Sequence, residues 1–224
     1  MPKRFFSKGE AILYGWDALK GRFLFFLSLV ILVVVTNIFL SSFPTFISGK
    51  APVAVAAAAG AMSWIILMLV EMGAMLISLK TVDDRVPRIS DLWSSYPVLV
   101  SYIAGSILYA LTVALGLALL VVPGIYLAIR LQFYGYLIID KGMGAIEALQ
   151  KSGNLTQGAK INLFLFGLGL MVFNILGALA LGVGLFITIP MTWIASAYVY
   201  RRLQMQADNE DAPALPEPPV GVSL

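Results

Sequence analysis

Residues 92–129 read LWSSYPVLVSYIAGSILYALTVALGLALLVVPGIYLAI, thirty-eight positions without a charge. As one helix this stretch would run roughly 57 Å at ~1.5 Å per residue, close to twice a ~30 Å hydrocarbon core. It must fold back on itself. The break is written at Val121-Val122-Pro123-Gly124, where proline removes a backbone donor and clashes with the preceding turn and glycine lets the chain reverse. A second charge-free stretch, Ile161 to Tyr200, repeats the arrangement around Gly182-Val183-Gly184. Two hairpins with almost no loop point to an all-α fold, a polytopic transmembrane helical bundle.

Composition agrees. The 224 residues are 60% hydrophobic and 12% charged, where soluble domains carry about 25% charged residues. With no cysteine and no histidine there is no disulfide framework or thiolate metal site, and the commonest metal ligand and general base is missing. No metal site, cofactor or nucleic-acid partner is expected.

Working outward from the hairpins, six spans emerge, paired as three hairpins: about 23–43, 53–79, 98–122, 124–139, 161–181 and 185–200. Residues 1–22 are basic and amphipathic. Ser7 and Glu10 have capping-box spacing, and Ile12, Trp16, Leu19 and Phe23 recur at helical intervals. An uncleaved interfacial helix is expected there, because the apolar run starts too late and runs too long for a signal peptide. Ser90 is placed to cap a short turn that lays Leu92, Trp93 and Tyr96 on the membrane surface. Residues 145–152 form a short amphipathic helix between spans four and five. From Gln204 the tail is acidic and proline-rich, so 204–224 is expected to be disordered.

Orientation follows from lysine and arginine. With the N-terminus inside, the inner segments hold Lys3, Arg4, Lys8, Lys20 and Arg22, then Lys80, Arg85 and Arg88, then Lys141, Lys151 and Lys160, then Arg201 and Arg202. The outer loops hold Lys50 alone. The positive-inside rule therefore puts both termini in the cytoplasm.

A charge near the bilayer centre costs at least ~2.5–3.5 kcal/mol and persists only if paired or useful. Glu71 and Arg130 are two such charges, roughly 12 and 15 Å below the inner ends of spans two and four at ~1.5 Å per residue. Equal depth permits an ion pair. Tyr126 and Tyr134, four residues either side of Arg130, could stack on its guanidinium, and Gln132 adds a polar group beside them. Glu71, Arg130, Tyr126, Tyr134 and Gln132 are the candidate ion-pair or ligand site. Asn37 and Asn174 share a depth and are expected to bridge helices. Catalytic residues are not evident: Asp83 and Asp84 lie in a solvated loop with no third ligand, and no general base is positioned.

Pro123-Gly124-Ile125-Tyr126-Leu127-Ala128-Ile129-Arg130, then Asp140, then Glu147-Ala148-Leu149-x-x-Ser152, Gly158, Gly177, Gly182-x-Gly184, Pro190 and Tyr200-Arg201 form a connected pattern. Over roughly Gly105 to Leu203 it resembles uncharacterised bacterial six-span membrane proteins. These are akin to the membrane domain that precedes the catalytic domain in some glycerophosphodiester phosphodiesterases. The resemblance implies a helical bundle in the bacterial inner membrane. No soluble catalytic domain follows the sixth span, so the phosphodiesterase activity is not expected here.

Function then divides two ways. The chain is either a non-catalytic scaffold or accessory protein, docking partners or anionic lipids through Glu147, Ala148, Leu149 and Ser152, or a small-molecule or lipid carrier with its polar site around Glu71 and Arg130. A wet groove reaching the intramembrane charge would favour the carrier.

Overall fold

The computed structural model describes residues 6–48, 52–180 and 182–211. Lys3, Arg4 and Lys50, and the acidic tail beyond Asp211, lie outside the described residues. Among those described there are α-helices and short 3-10 turns and no strand. The helices are α1 (Lys8–Gly21), α2 (Phe23–Ser48), α3 (Val53–Val82), α4 (Leu99–Leu119), α5 (Val121–Leu131), α6 (Tyr134–Lys141), α7 (Ala145–Leu155), α8 (Lys160–Leu179) and α9 (Leu185–Asp211). Five stretches are long and apolar enough to cross a membrane: Phe23–Ile47, Val53–Val82, Ile89–Leu119, Val121–Lys141 and Lys160–Leu179. The protein is a multi-pass membrane protein. α9 is not among the five, since its apolar part is interrupted by Thr188, Pro190, Thr192 and Ser196 and ends at Arg201 and Arg202.

The lower hydropathy of α9 fits its place. It packs against α1, α2, α3, α7 and α8, and Ile194, Ala195, Ala197, Val199, Tyr200 and Leu203 are wholly buried. A helix enclosed by protein need not present an apolar face to lipid all round. α2 also packs on α3, α4 on α5, and α8 on α9. Elsewhere large apolar side chains such as Ile38, Phe39, Val53, Leu119 and Leu179 are exposed, as a lipid-facing surface requires.

Several boundaries differ from the sequence-based expectation. The reversal between α4 and α5 is at Leu120, which alone is extended (φ −162°, ψ 149°), rather than at Pro123-Gly124. Pro123 sits in the first turn of α5, where a missing N–H would have had no intrahelical partner anyway. Gly124 serves close approach: a Cβ there would lie 2.4 Å from Leu117, and one on Gly116 would lie 2.9 Å from the Gly124 Cα. Gly182, by contrast, is left-handed (φ 76°) in the turn after α8, and a Cβ on Gly184 would meet Gly177 at 2.7 Å. α2 continues through Pro44 to Ser48. α9 continues as helix through residues 204–211, where composition suggested disorder.

The N-terminal helix is not a free interfacial element. Ser7 caps it, accepting from the Glu10 N–H at 3.3 Å, and its buried stripe is Ala11, Gly15 and Leu19. That stripe lies on α9, where a Cβ on Gly15 would come 2.7 Å from the Met191 carbonyl. From Glu10 to Gly15 the partners descend α9 from Arg202 to Met191, so the two helices run in opposite directions.

Candidate functional site

One face of α3 presents Trp64, Leu67, Met68, Glu71, Ala74 and Met75, spaced three, four and seven apart as a helix face requires. Opposite stand Val33 and Asn37 of α2, Tyr136 of α6 and Trp193 of α9. Together they line an open cavity of about 450 Å³, on whose surface Asn37, Trp64 and Glu71 are exposed. Its walls are aromatic and aliphatic, and its polar groups are Glu71 and Asn37. Asn37 does not bridge helices: its amide donates to the Val33 carbonyl of its own helix at 3.0 Å.

The Tyr102 hydroxyl of α4 lies near the Glu71 carboxylate. Behind Tyr102 the polar contacts continue away from the cavity. The rings of Tyr102 and Tyr134 stack 6.0 Å apart, and the Tyr134 hydroxyl shares a hydrogen bond of 2.9 Å with Ser106. Tyr109 stacks on Tyr134 at 5.1 Å. No cation lies within ion-pair distance of Glu71 among the described residues. The cavity therefore holds one carboxylate, beside a tyrosine hydroxyl and with no cation at ion-pair distance among the described residues.

The expected Glu71–Arg130 pair is not formed. Arg130 faces α7 instead, and the helix is interrupted just after it: α5 ends at Leu131, and α6 begins at Tyr134. Arg130 stays with α5 and is exposed, its guanidinium against Gly153 of α7, where a Cβ would meet its Nε at 2.9 Å. Tyr134 starts the next helix and turns to α4. Neither tyrosine stacks on Arg130. Tyr126 is taken by Lys160, whose Nζ is 4.3 Å from the ring centre and 2.5 Å from the hydroxyl. Gln132 bonds back to the Ile129 carbonyl at 3.1 Å.

Within the Glu147–Ser152 segment, Ala148 and Ser152 are fully buried and Glu147 is exposed. Ser152 Oγ accepts from the Phe133 N–H at 3.1 Å and donates to the Arg130 carbonyl at 3.2 Å. Thr156 Oγ1 donates to the same carbonyl at 3.0 Å. The segment thus caps the α5–α6 break from outside. Leu149 is half-buried beside it.

Sequence reasoning passed over a second polar assembly. Arg201 makes paired bonds to Asp83 (2.8 and 2.7 Å) and to Asp140 (both 2.7 Å). Tyr200 donates to Asp140 at 3.0 Å and stacks on Tyr136 of the cavity wall at 5.2 Å. In the sequence Arg201 is one of the inner positive charges, and only the convergence of α3, α6 and α9 reveals its partners. Nearby, Asp91 rather than Ser90 organises the turn before α4, accepting from the Arg88 N–H at 2.8 Å and pairing with Lys80 at 2.7 Å. Leu92 is buried there, while Trp93 and Tyr96 are exposed. No group of three or more acidic residues able to hold a metal ion occurs among the described residues.

No curated protein and no solved structure matches the chain. A family model described as "Protein of unknown function (DUF975)" matches residues 93–207, slightly more than half of the sequence. That range holds α4 to α8, nearly all of α9, and the Tyr102, Tyr136 and Trp193 side of the cavity, but not Glu71. The chain belongs to this family, DUF975.

Proposed function

We propose that the protein binds an organic cation or cationic amphiphile in the Glu71 cavity, as a carrier and not as an enzyme. The observation that carries this is the carboxylate without a counter-charge between aromatic walls. A carboxylate supplies charge, Trp64, Trp193 and Tyr136 supply π faces for a cation, and the aliphatic walls suit an apolar body. The break between α5 and α6 adds support, because interrupted helices commonly accompany intramembrane sites. A scaffold docking through Glu147–Ser152 has less support, since Ala148 and Ser152 are occupied inside the bundle.

The proposed setting is the bacterial inner membrane, with α9 as a sixth span. Three hairpins result: α2 with α3, α4 with α5 and α6, and α8 with α9. The lysine and arginine distribution supports cytoplasmic termini, and a reporter inserted after Lys50 that scored as cytoplasmic would reverse the topology. The resemblance to phosphodiesterase membrane domains is consistent with a membrane-embedded, non-catalytic role.

Tetraphenylphosphonium is a suitable probe. Titrated into detergent-solubilised protein, it is expected to quench tryptophan fluorescence saturably, and Glu71→Gln to weaken binding at least tenfold with an unchanged melting temperature. Equal affinity for wild type and Glu71→Gln would remove the carboxylate from any binding role.

A further inference from the structure

A different surface carries a second site. Arg130 and Lys160 converge on Tyr126, from α5 and from the start of α8. Lys160 reaches the Tyr126 hydroxyl, Arg130 lies one helical turn further along the same face of α5, and both cations act on that phenol. Neither has an acidic partner within ion-pair distance among the described residues. Two like charges held beside one phenol repel each other unless an anion intervenes. The Arg130 guanidinium is also not loose. It lies against Gly153, at the one position on that side of α7 where the absence of a Cβ leaves room for it. Its backbone carbonyl is fixed by Ser152 and Thr156.

We infer that Arg130, Lys160 and Tyr126 form a binding site for a phosphate group, either on an anionic lipid or on a soluble phosphate compound. The guanidinium offers a planar fork of donors that matches two phosphate oxygens, and the ammonium adds a compact charge beside it. The Tyr126 hydroxyl positions the ammonium and is free to donate to a third oxygen. Gly153 sets the plane of the fork, so it is a positioning residue. None of these four residues lines the Glu71 cavity. This site therefore stands or falls separately from the proposed carrier function.

The test is native mass spectrometry of the full chain in mild detergent, titrated separately with dioleoylphosphatidylglycerol, dioleoylphosphatidylcholine and inorganic phosphate. Wild type is expected to retain phosphatidylglycerol at least tenfold better than phosphatidylcholine. The double variant Arg130→Gln with Lys160→Gln should lose that preference, whereas Arg130→Lys should keep part of it. Because Arg130→Gln could disturb α7, Lys160→Gln alone is the second variant, expected to lower retention several-fold with an unchanged melting temperature. Retention of inorganic phosphate by wild type, lost in the variants and without lipid preference, would assign the site to a soluble phosphate. Equal phosphatidylglycerol retention by wild type and a folded double variant, with no phosphate bound, would overturn the site.

Discussion

Gly73 lies so close to the turn before α4 that a Cβ would stand 2.2 Å from the Leu92 Cα and 2.5 Å from its carbonyl oxygen. The obstacle is backbone, so no rotamer change relieves it. Gly73→Ala must push Leu92 outward and disturb the Asp91 bonds to Lys80 and Arg88. Overpacking of this kind costs about 1–3 kcal/mol, read as a lowered melting temperature in detergent. Glu10 gives a pH-dependent test. The Tyr198 hydroxyl, and after it the Arg202 guanidinium, hold its carboxyl below the usual range. A depressed carboxyl contributes stability above its unfolded pKa, near ~4.3, and loses it as pH falls through the folded value. Acidification from that unfolded pKa downward should therefore loosen α1 from α9, seen as faster amide exchange in α1. Glu10→Gln should remove the pH step, and an unaltered step would assign it to another group.

The α5–α6 break separates Arg130 from the helix that carries Tyr136, and it shows where sequence stops being informative. Breaking a helix exposes backbone groups that lipid cannot satisfy. Here Ser152 and Thr156 supply the partners from α7. Ser152→Ala with Thr156→Val should leave the Phe133 N–H and Arg130 carbonyl short of partners, at about 1–3 kcal/mol for each unsatisfied group. Faster exchange at residues 131–135 would report it, and protection unchanged there would mean the break is held some other way. The apolar stretches, the folding back of 92–129 and the cap at Ser7 were legible because they depend on local composition and on spacing along the chain. The break was not legible. Gln132-Phe133 contains neither glycine nor proline, and its caps lie some twenty residues away. For the same reason Glu71 and Arg130 looked like partners: equal depth is a local estimate, but Arg130 faces α7, which the local pattern does not show. Arg201 was missed in the same way, its carboxylates lying 61 and 118 residues distant in the chain.

At the scale of the whole molecule, Arg201 joins three of the four helices that carry the cavity walls: α3 with Glu71, α6 with Tyr136, and α9 with Trp193. It is only partly exposed, at 15%, and its guanidinium donates twice to each of the two carboxylates and once to Gln204 Oε1, at 3.0 Å. Removing it as Arg201→Ala leaves Asp83 and Asp140 with only the exposed Lys141, 3.9 Å from Asp140, as a cation within ion-pair distance among the described residues. Loss of one partner from a fully buried charge set costs about 3–5 kcal/mol; this set is part-buried, so the loss should be smaller, and Arg201→Lys should recover only part of it because an ammonium cannot make both paired contacts. Asp83→Asn and Asp140→Asn should each cost less, since one carboxylate still neutralises the arginine, and the two together more than their sum. Thermal unfolding of the two aspartate variants and of their double variant measures that coupling, and strictly additive losses would mean the contacts act independently. The consequence for function follows from the stacked rings. Tyr200 is bonded to Asp140 and stacked on Tyr136, so a shift of α9 relative to α6 moves a cavity wall directly. Arg201→Lys should therefore weaken tetraphenylphosphonium binding several-fold although Arg201 does not touch the cavity. Stability lowered with binding unchanged would show that the cavity is held by its own local packing, and that the charged end and the site are energetically separate.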